Sequence, residues 1–384
     1  MGKVRRAMGK ACAGAMLALA AASPVWAGDP PSVSVGYITD LAGNVSGGRE
    51  TGVNWMGRLD LTVATGDRLF GIDGAHAQVD LMLLHGGGFS ADRTGDGQVL
   101  SNIDAPHAVR PFEAWIDLPL AARVRAKAGL IDLNSEFDQQ NVGALFLNSS
   151  FGIGPDLSQA GIDGPSIFPV TAPGLVVAYE PAGWSAHFGV FDAQAGDPDH
   201  LHRVFPDTFG RHGALLIGQA RALIGPLVEI EGGAWAYTDP LPRIDAPGEA
   251  RSAGGYAEIE ARLFGDRPAH ALKGWIRAGK ATERANPIGT YVGGGLTWGG
   301  DHRMLGVAMA RAVLGDPAWR AGRTATATPY RAETAWEVTG RQRLGRGLYV
   351  QPDVQYIVHP GWTPAADDAL VFVLRLQWNW LAGR

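Results

Sequence analysis

Between Lys127 and Arg203 the chain carries neither lysine nor arginine, while Asp132, Glu136, Asp138, Asp156, Asp163, Glu180, Asp192, Asp197 and Asp199 all fall there. Its cations lie elsewhere. Arg58, Arg123, Arg125, Arg262, Arg277, Arg341 and Arg343 occupy polar positions of alternating apolar and polar runs. An acidic segment facing such cations across a gap sets up a transverse field, which orients a dipolar, multiply hydroxylated solute and rejects an apolar one. Hydroxyls can exchange water for carboxylate and guanidinium partners, and aromatic faces can cover the C–H side of the solute. The candidates for this chemistry are Arg58, Asp60, Glu113, Trp115, Asn134, Glu136, Asp138, Glu333, Glu337, Arg341, Asp353 and Gln355. For any one of them, hydrating a channel or pairing to hold a loop is an equally good use.

Other chemistry is poorly supported. His200, His202 and His212 with Asp197 and Asp199 are spaced too irregularly for a metal site. Asp92, Asp96 and Asp104 beside Gly95 and Gly97 lack the ligand spacing and terminal glutamate of a calcium loop. Gly86 to Gly88 and Gly293 to Gly295 have no following helix or phosphate-binding lysine, so they read as flexible or closely packed backbone. Glu258 and Glu260 alternate on one strand face, roughly 7 Å apart, with no pocket implied. No nucleophile elbow, HExxH or Walker motif is present, and nothing implies a cofactor.

The elements that must position these residues have a period of two. Val53, Trp55, Gly57, Leu59, Leu61 and Val63 alternate with Asn54, Met56, Arg58, Asp60 and Thr62, which places one greasy and one wet face on a strand. Similar runs predict strands near 32–41, 51–64, 74–85, 108–119, 123–131, 174–181, 184–191, 213–222, 227–237, 254–263, 271–281, 290–298, 302–310, 331–343, 348–358 and 369–380. Short turns alternate with long loops, the longest being a strand-free segment at about 132–173. Together with 54 glycines and only 18% charged residues, this predicts an all-β, transmembrane antiparallel β-barrel of about 16 strands with a long inward-folded constriction loop. A soluble sandwich also alternates, but needs fewer strands and no aromatics at strand ends. Trp55, Trp184, Trp235, Tyr237, Trp298, Tyr349, Tyr356, Trp378 and Trp380 are expected at the headgroup level.

Residues 1–27 read as a signal peptide: four basic residues, an apolar run from Ala11 to Ala22 and small residues around Ala27. Residues 28–384 then form one barrel. The formal net charge of −5 falls to −9 without those four cations, which argues against a nucleic-acid partner. The single cysteine, Cys12, lies in the signal, so no disulfide is expected. Pro352 cannot donate to a strand ladder and predicts a local bulge.

Several segments carry a resemblance. GNVSGG (Gly43 to Gly48), SNIDAP (Ser101 to Pro106), LIDLNSEFD with LFLNSSFGIGPDLSQAG (Leu130 to Gly161), GPSIFP (Gly164 to Pro169), VFDAQAGDPDH (Val190 to His200), and ETAWEVTGRQRL with LYVQPDVQYIVHPG (Glu333 to Gly361) resemble the carbohydrate-selective porins of Gram-negative outer membranes, the OprB type. The resemblance implies a sixteen-stranded channel through which sugars such as glucose diffuse passively, with outer-membrane lipid around it. It also implies periplasmic chaperones and the barrel-assembly machinery as partners in biogenesis. The family's closing strand ends on an aromatic residue, whereas here Trp380 is followed by Leu381, Ala382, Gly383 and Arg384, an extension that bears on assembly. A porin for another polar solute, such as a carboxylate, is the alternative. A barrel-type outer-membrane hydrolase is the alternative from a different class.

Overall fold

The computed structural model describes residues 31–197, 200–205, 209–265 and 270–382. The expected signal peptide at 1–27 lies outside the described residues, as do Asp199, Gly383 and Arg384. Sixteen strands close into one barrel: β1 Ser32–Gly48, β2 Gly52–Ala64, β3 His76–His85, β4 Ala108–Ala121, β5 Val124–Ile131, β6 Ala172–Tyr179, β7 Trp184–Asp192 and β8 Ala214–Ile224 form the first half. The second half is β9 Val228–Tyr237, β10 Ala253–Phe264, β11 Ala271–Ala281, β12 Ile288–Gly300, β13 Arg303–Leu314, β14 Ala332–Gly345, β15 Leu348–Val358 and β16 Asp367–Ala382. Each strand pairs antiparallel with its sequence neighbours, and β16 pairs back onto β1. Every backbone donor and acceptor of a strand can thereby be met by a neighbour, which is what hydrocarbon demands of a spanning segment. No helix among the described residues is long and apolar enough to cross a membrane.

The alternation places grease outside and charge inside. Trp55, Phe188, Ile259, Ile276, Val338, Phe372 and Trp378 are between 43% and 61% exposed. On the opposite parity, neighbours such as Glu258, Arg277, Glu337 and Arg375 reach 7% exposed or less. In water each exposed large apolar side chain would forfeit about 1.5–3 kcal/mol of burial. A bilayer removes that penalty, so this inversion is stable only with lipid on the outside.

Three local readings change. β1 runs seven residues past its expected end at 41 because Gly47 and Gly48, both at φ 67°, bend it through two register shifts against β16. A Cβ on Gly47 would collide with the Asp368 carbonyl, so a side chain there would break the seam. The expected bulge at Pro352 does not form: Thr339 faces Asp353 and Gln342 faces Val350 in one unbroken register. The proline's missing N–H is absorbed by two unbonded positions between those pairs, with no residue inserted. β16 does not stop at Trp380, since Leu381 pairs with Ser34 and Ala382 with Val33.

Three of the aromatic residues expected at headgroup level point the other way, one of them Tyr349, which shares the parity of Gln351, Asp353 and Gln355 on β15. Trp235 and Tyr237 share the parity of Glu229 and Glu231, are 3% and 4% exposed, and pack with Leu157 and Ala160. Their rings serve the interior. Gly293 leaves room for the Tyr291 ring, which makes the triple glycine of β12 closely packed rather than loose.

Ile276 lies at the centre of β11 on the lipid side. Ile276→Lys should destabilise the barrel by about 2–4 kcal/mol in equilibrium refolding into lipid vesicles, the range expected near the bilayer midplane. Ile276→Leu should refold like the parent.

Candidate functional site

The connection between β5 and β6 organises the site. Asp132 caps a short turn by accepting from the Asn134 N–H at 2.9 Å, and Asn148 caps a second by accepting from the Ser150 N–H at 3.1 Å. Asn134 Nδ2 donates to the carbonyls of Phe137, Asp138 and Gly152 at 2.9–3.1 Å, tying the two halves of the segment together. These side chains replace the ladder that a strand-free segment lacks. Four one-turn helices result, Leu133–Ser135, Gly143–Leu145, Ser149–Phe151 and Pro155–Ser158.

The segment meets inward-parity side chains of many strands. Glu136 takes a 2.8 Å contact from Arg125 Nη2 and a hydrogen bond from Lys127 Nζ, both on β5. Arg125 also bonds Asp117 at 2.9 Å, and His187 of β7 reaches the Glu136 carbonyl at 3.1 Å. Some 135° further round a sixteen-strand barrel, Arg277 of β11 binds Asp138 through Nε and Nη2, both at 2.8 Å, and Asp156 through Nη1 at 2.5 Å. All three side chains are fully buried. The guanidinium lies 5.0 Å from the Tyr256 ring centroid and 5.2 Å from that of Tyr291. Phe146 packs tilted and Phe151 edge-on against Trp275 of β11, with centroids at 5.3 and 5.9 Å, adding an apolar contact to the ionic one.

A third set of contacts lies on β14 and β15. Glu337 accepts from the Leu147 N–H at 2.6 Å and the Asn148 N–H at 3.0 Å. Gln355 donates to the Leu100 carbonyl at 2.7 Å and accepts from Asn148 Nδ2 at 3.3 Å, while Asp353 accepts from Gln355 at 3.2 Å. Glu333, nearer the long-loop end, accepts from three backbone N–H groups, Gly97, Gln98 and Gly361, at 2.6–2.9 Å. Buried carboxylates are met here by backbone donors, which stabilise the charged form where no cation is at hand.

The wall of β2 to β5 is more open. Arg58 bonds Asp60 through Nε at 2.8 and 2.9 Å and stands 4.7 and 5.1 Å from the rings of Phe112 and Phe168. Glu113 accepts from Gln78 at 3.2 Å and from the Asp132 N–H at 3.1 Å. Trp115 carries the Lys127 ammonium 4.3 Å from its ring centroid. The Arg58 and Asp60 side chains keep 19% and 18% of their surface exposed, unlike the sealed group at Arg277.

The candidates therefore divide. Arg58, Asp60, Glu113 and Trp115 share one wall with Lys127 and Glu136, and Glu333, Glu337, Asp353 and Gln355 share another. Asn134 and Asp138 belong to the segment that joins them. Arg341 stands apart, 5.5 Å from the Tyr349 ring at the short-turn end. Of the other arginines, Arg123 sits in the β4–β5 turn at φ 66° and Arg343 bonds the Gly345 carbonyl, so neither meets the acidic segment. Lys127, Gln219, Tyr256, Tyr291 and Gln351 escaped selection, although each lies on the polar parity of its strand. The same parity holds the Asp40–Arg375 pair, bidentate at 2.7 and 2.8 Å across the β1–β16 seam. Among the described residues no group of three His, Cys, Asp or Glu side chains is placed to hold a metal. His200 instead faces Asp197 at 2.9 Å.

The family model for the carbohydrate-selective porins of the OprB family matches residues 57–380. The chain belongs to that family. It is an outer-membrane channel rather than an enzyme. Among solved structures it is similar to Pseudomonas putida OprB in its high-pH form, at 18% identity and TM-score 0.78 over 91% of this chain and 94% of that one. The low-pH form of the same protein gives 14% identity and TM-score 0.57, covering 91% of this chain and 92% of that one. A Rh. blastica porin mutant gives 12% identity and TM-score 0.56, covering 91% of this chain and all of that one. At these identities the likeness speaks to the fold. No curated protein matched the chain.

Two tests follow from the charge clusters. Arg277→Met leaves Asp138 and Asp156 buried without their cation, which should cost about 3–5 kcal/mol and expose the 132–171 segment to protease in the folded barrel. The Glu136 carboxyl is raised by burial, but the charges and hydrogen bonds of Lys127 and Arg125 outweigh this and hold it below the usual range. A lowered carboxyl contributes stability that is complete above its unfolded pKa and lost as pH falls through its folded one. Single-channel conductance should hold steady above about pH 4.5 and become noisier in stronger acid, and Glu136→Gln should show that noise already at neutral pH.

Proposed function

We propose that the β5–β6 connection is a constriction lying within the lumen, and that the family's passive sugar diffusion takes place between it and the β2–β5 wall. One observation carries this reading: the segment's partners are inward-parity side chains on β5, β7, β8, β10, β11, β12, β14 and β15. A connection leaving one side of a closed cylinder reaches inner faces so far round it by crossing the inside. On the open wall, Arg58, Asp60, Glu113 and Trp115 offer charge-assisted partners for hydroxyls and an aromatic face for C–H groups. Glu337, Gln355 and Asp138 act by holding the constriction in place, with Asp353 and Glu333 supporting neighbouring backbone. The preferred solutes are small neutral sugars of glucose size. Outer-membrane lipid surrounds the barrel, and chaperones and the barrel-assembly machinery deliver it after the signal peptide is removed.

Liposome swelling with size-matched sugars and organic acids tests the reading. Sugars should enter several-fold faster than carboxylates, because the mature chain is acidic and its open wall holds several carboxylates; equal or reversed rates would make this a porin for other polar solutes. In single-channel recordings Glu136→Gln with Glu337→Gln should alter ion selectivity and sugar block together. An unchanged channel would remove both residues from the constriction.

A further inference from the structure

The outward face of β10 and β11 changes character at the long-loop end. Along β11, Gly274, Ile276, Ala278 and Lys280 follow one another on the lipid-facing parity, and the row ends on an exposed ammonium. Across one ladder Lys280 faces Gly255, which has no side chain, and across the other it faces the small Thr290. Above this pair the connections 238–252, 282–287 and 315–331 surround an open hollow of 980 Å³. Its wall includes Arg243, Arg251, Lys280, Arg284 and Arg320.

Most carboxylates of the hollow are already engaged. Asp245 pairs with Arg243 at 2.9 Å, Asp316 pairs with Arg320 at 3.1 Å and with Arg331, and Glu283 accepts from the Asp316 N–H at 2.9 Å. The Asp245 carboxyl lies below its usual range, held first by the Arg243 hydrogen bond, with the charge of Arg284 adding to the effect. Among the described residues Arg251, Lys280 and Arg284 make no ion pair. A lysine on the lipid face is costly at the bilayer centre and nearly free at headgroup depth. Long loops mark the outer side of such barrels, so these three cations sit at the depth of the outer leaflet's headgroups. In a Gram-negative outer membrane those headgroups are phosphorylated sugars.

We propose that this hollow docks the phosphorylated disaccharide headgroup of the outer-leaflet glycolipid, with Arg251, Lys280 and Arg284 as its phosphate ligands. Two features commit the site to a lipid rather than a free ion. Lys280 continues an apolar row at Ile276 and Ile259 on which acyl chains can lie, and the hollow has the volume of a pocket for a disaccharide-sized group. Guanidinium groups match phosphate oxygens in pairs, and the ammonium adds a point charge.

The test uses the full barrel in detergent, titrated with bisphosphorylated lipid A and followed by native mass spectrometry. The triple variant Arg251→Gln, Lys280→Gln, Arg284→Gln should bind at least about tenfold more weakly. Lipid A stripped of both phosphates should lose as much on the parent protein. Millimolar inorganic phosphate should not displace the lipid. The triple variant's single-channel conductance should match the parent, which establishes that it has folded. Binding by the triple variant within twofold of the parent, equal binding of the stripped lipid, or full displacement by inorganic phosphate would each overturn the proposal. Should the triple variant fail to fold, Lys280→Gln alone decides: an affinity within error of the parent's refutes the site, and a several-fold loss supports it.

Discussion

The whole structure depends on its outside solvent being hydrocarbon. Strands that cross it must satisfy every backbone group against a neighbour, so the sheet closes, and they must present apolar side chains outward. Charge in the middle of a spanning strand is thereby driven to one parity, and exceptions such as Lys280 stand at the long-loop end. Asp40, Asp80, Glu258, Arg277, Glu337 and Arg375 lie within a cylinder of limited width, all of them 7% exposed or less. Charges so confined must be paired, hydrogen-bonded or left facing water, and each of the three outcomes occurs.

Pairing produces the fixed parts. Arg375 clasps Asp40 where the last strand returns to the first, so an ionic contact supports the closure of the cylinder. Arg277 gathers two carboxylates of the β5–β6 connection, and Arg125 with Lys127 gathers a third. Burying such groups is expensive, and their attraction offsets the cost only where geometry is good and remaining donors are met. What the pairs give in return is position: a long strand-free segment is pinned at widely separated points on the wall. The Phe146, Phe151 and Trp275 contact adds apolar burial to one of those points.

Hydrogen bonding and hydration divide the remainder. Glu333 and Glu337 are met by backbone N–H groups and so become anchors, although nothing in their sequence context separates them from Asp60, which pairs with Arg58 instead. Arg125 and Arg123 show the same limit. Two residues apart and both beside a tight turn, one bonds Glu136 and the other takes the positive φ of the turn itself. Trp235 and Tyr237 were legible from parity, since they share it with Glu229 and Glu231; their position near a strand end suggested a lipid belt instead. Lys127 closes the cation-free interval and could have been chosen on that ground.

The sequence by itself determined the strand count, the parity of each strand and the side on which long connections fall, because period-two alternation is a local property that the bilayer enforces one residue at a time. It also carried the family, through short segments spread along the chain. Only the tertiary structure decided which acid meets which cation. Those meetings join residues such as Asp138 and Arg277, 139 positions apart, and depend on where a strand-free connection meets the inward-parity side chains of other strands. No periodicity encodes that path: it is set by the sum of ionic, backbone and aromatic contacts that exist only once the barrel has closed.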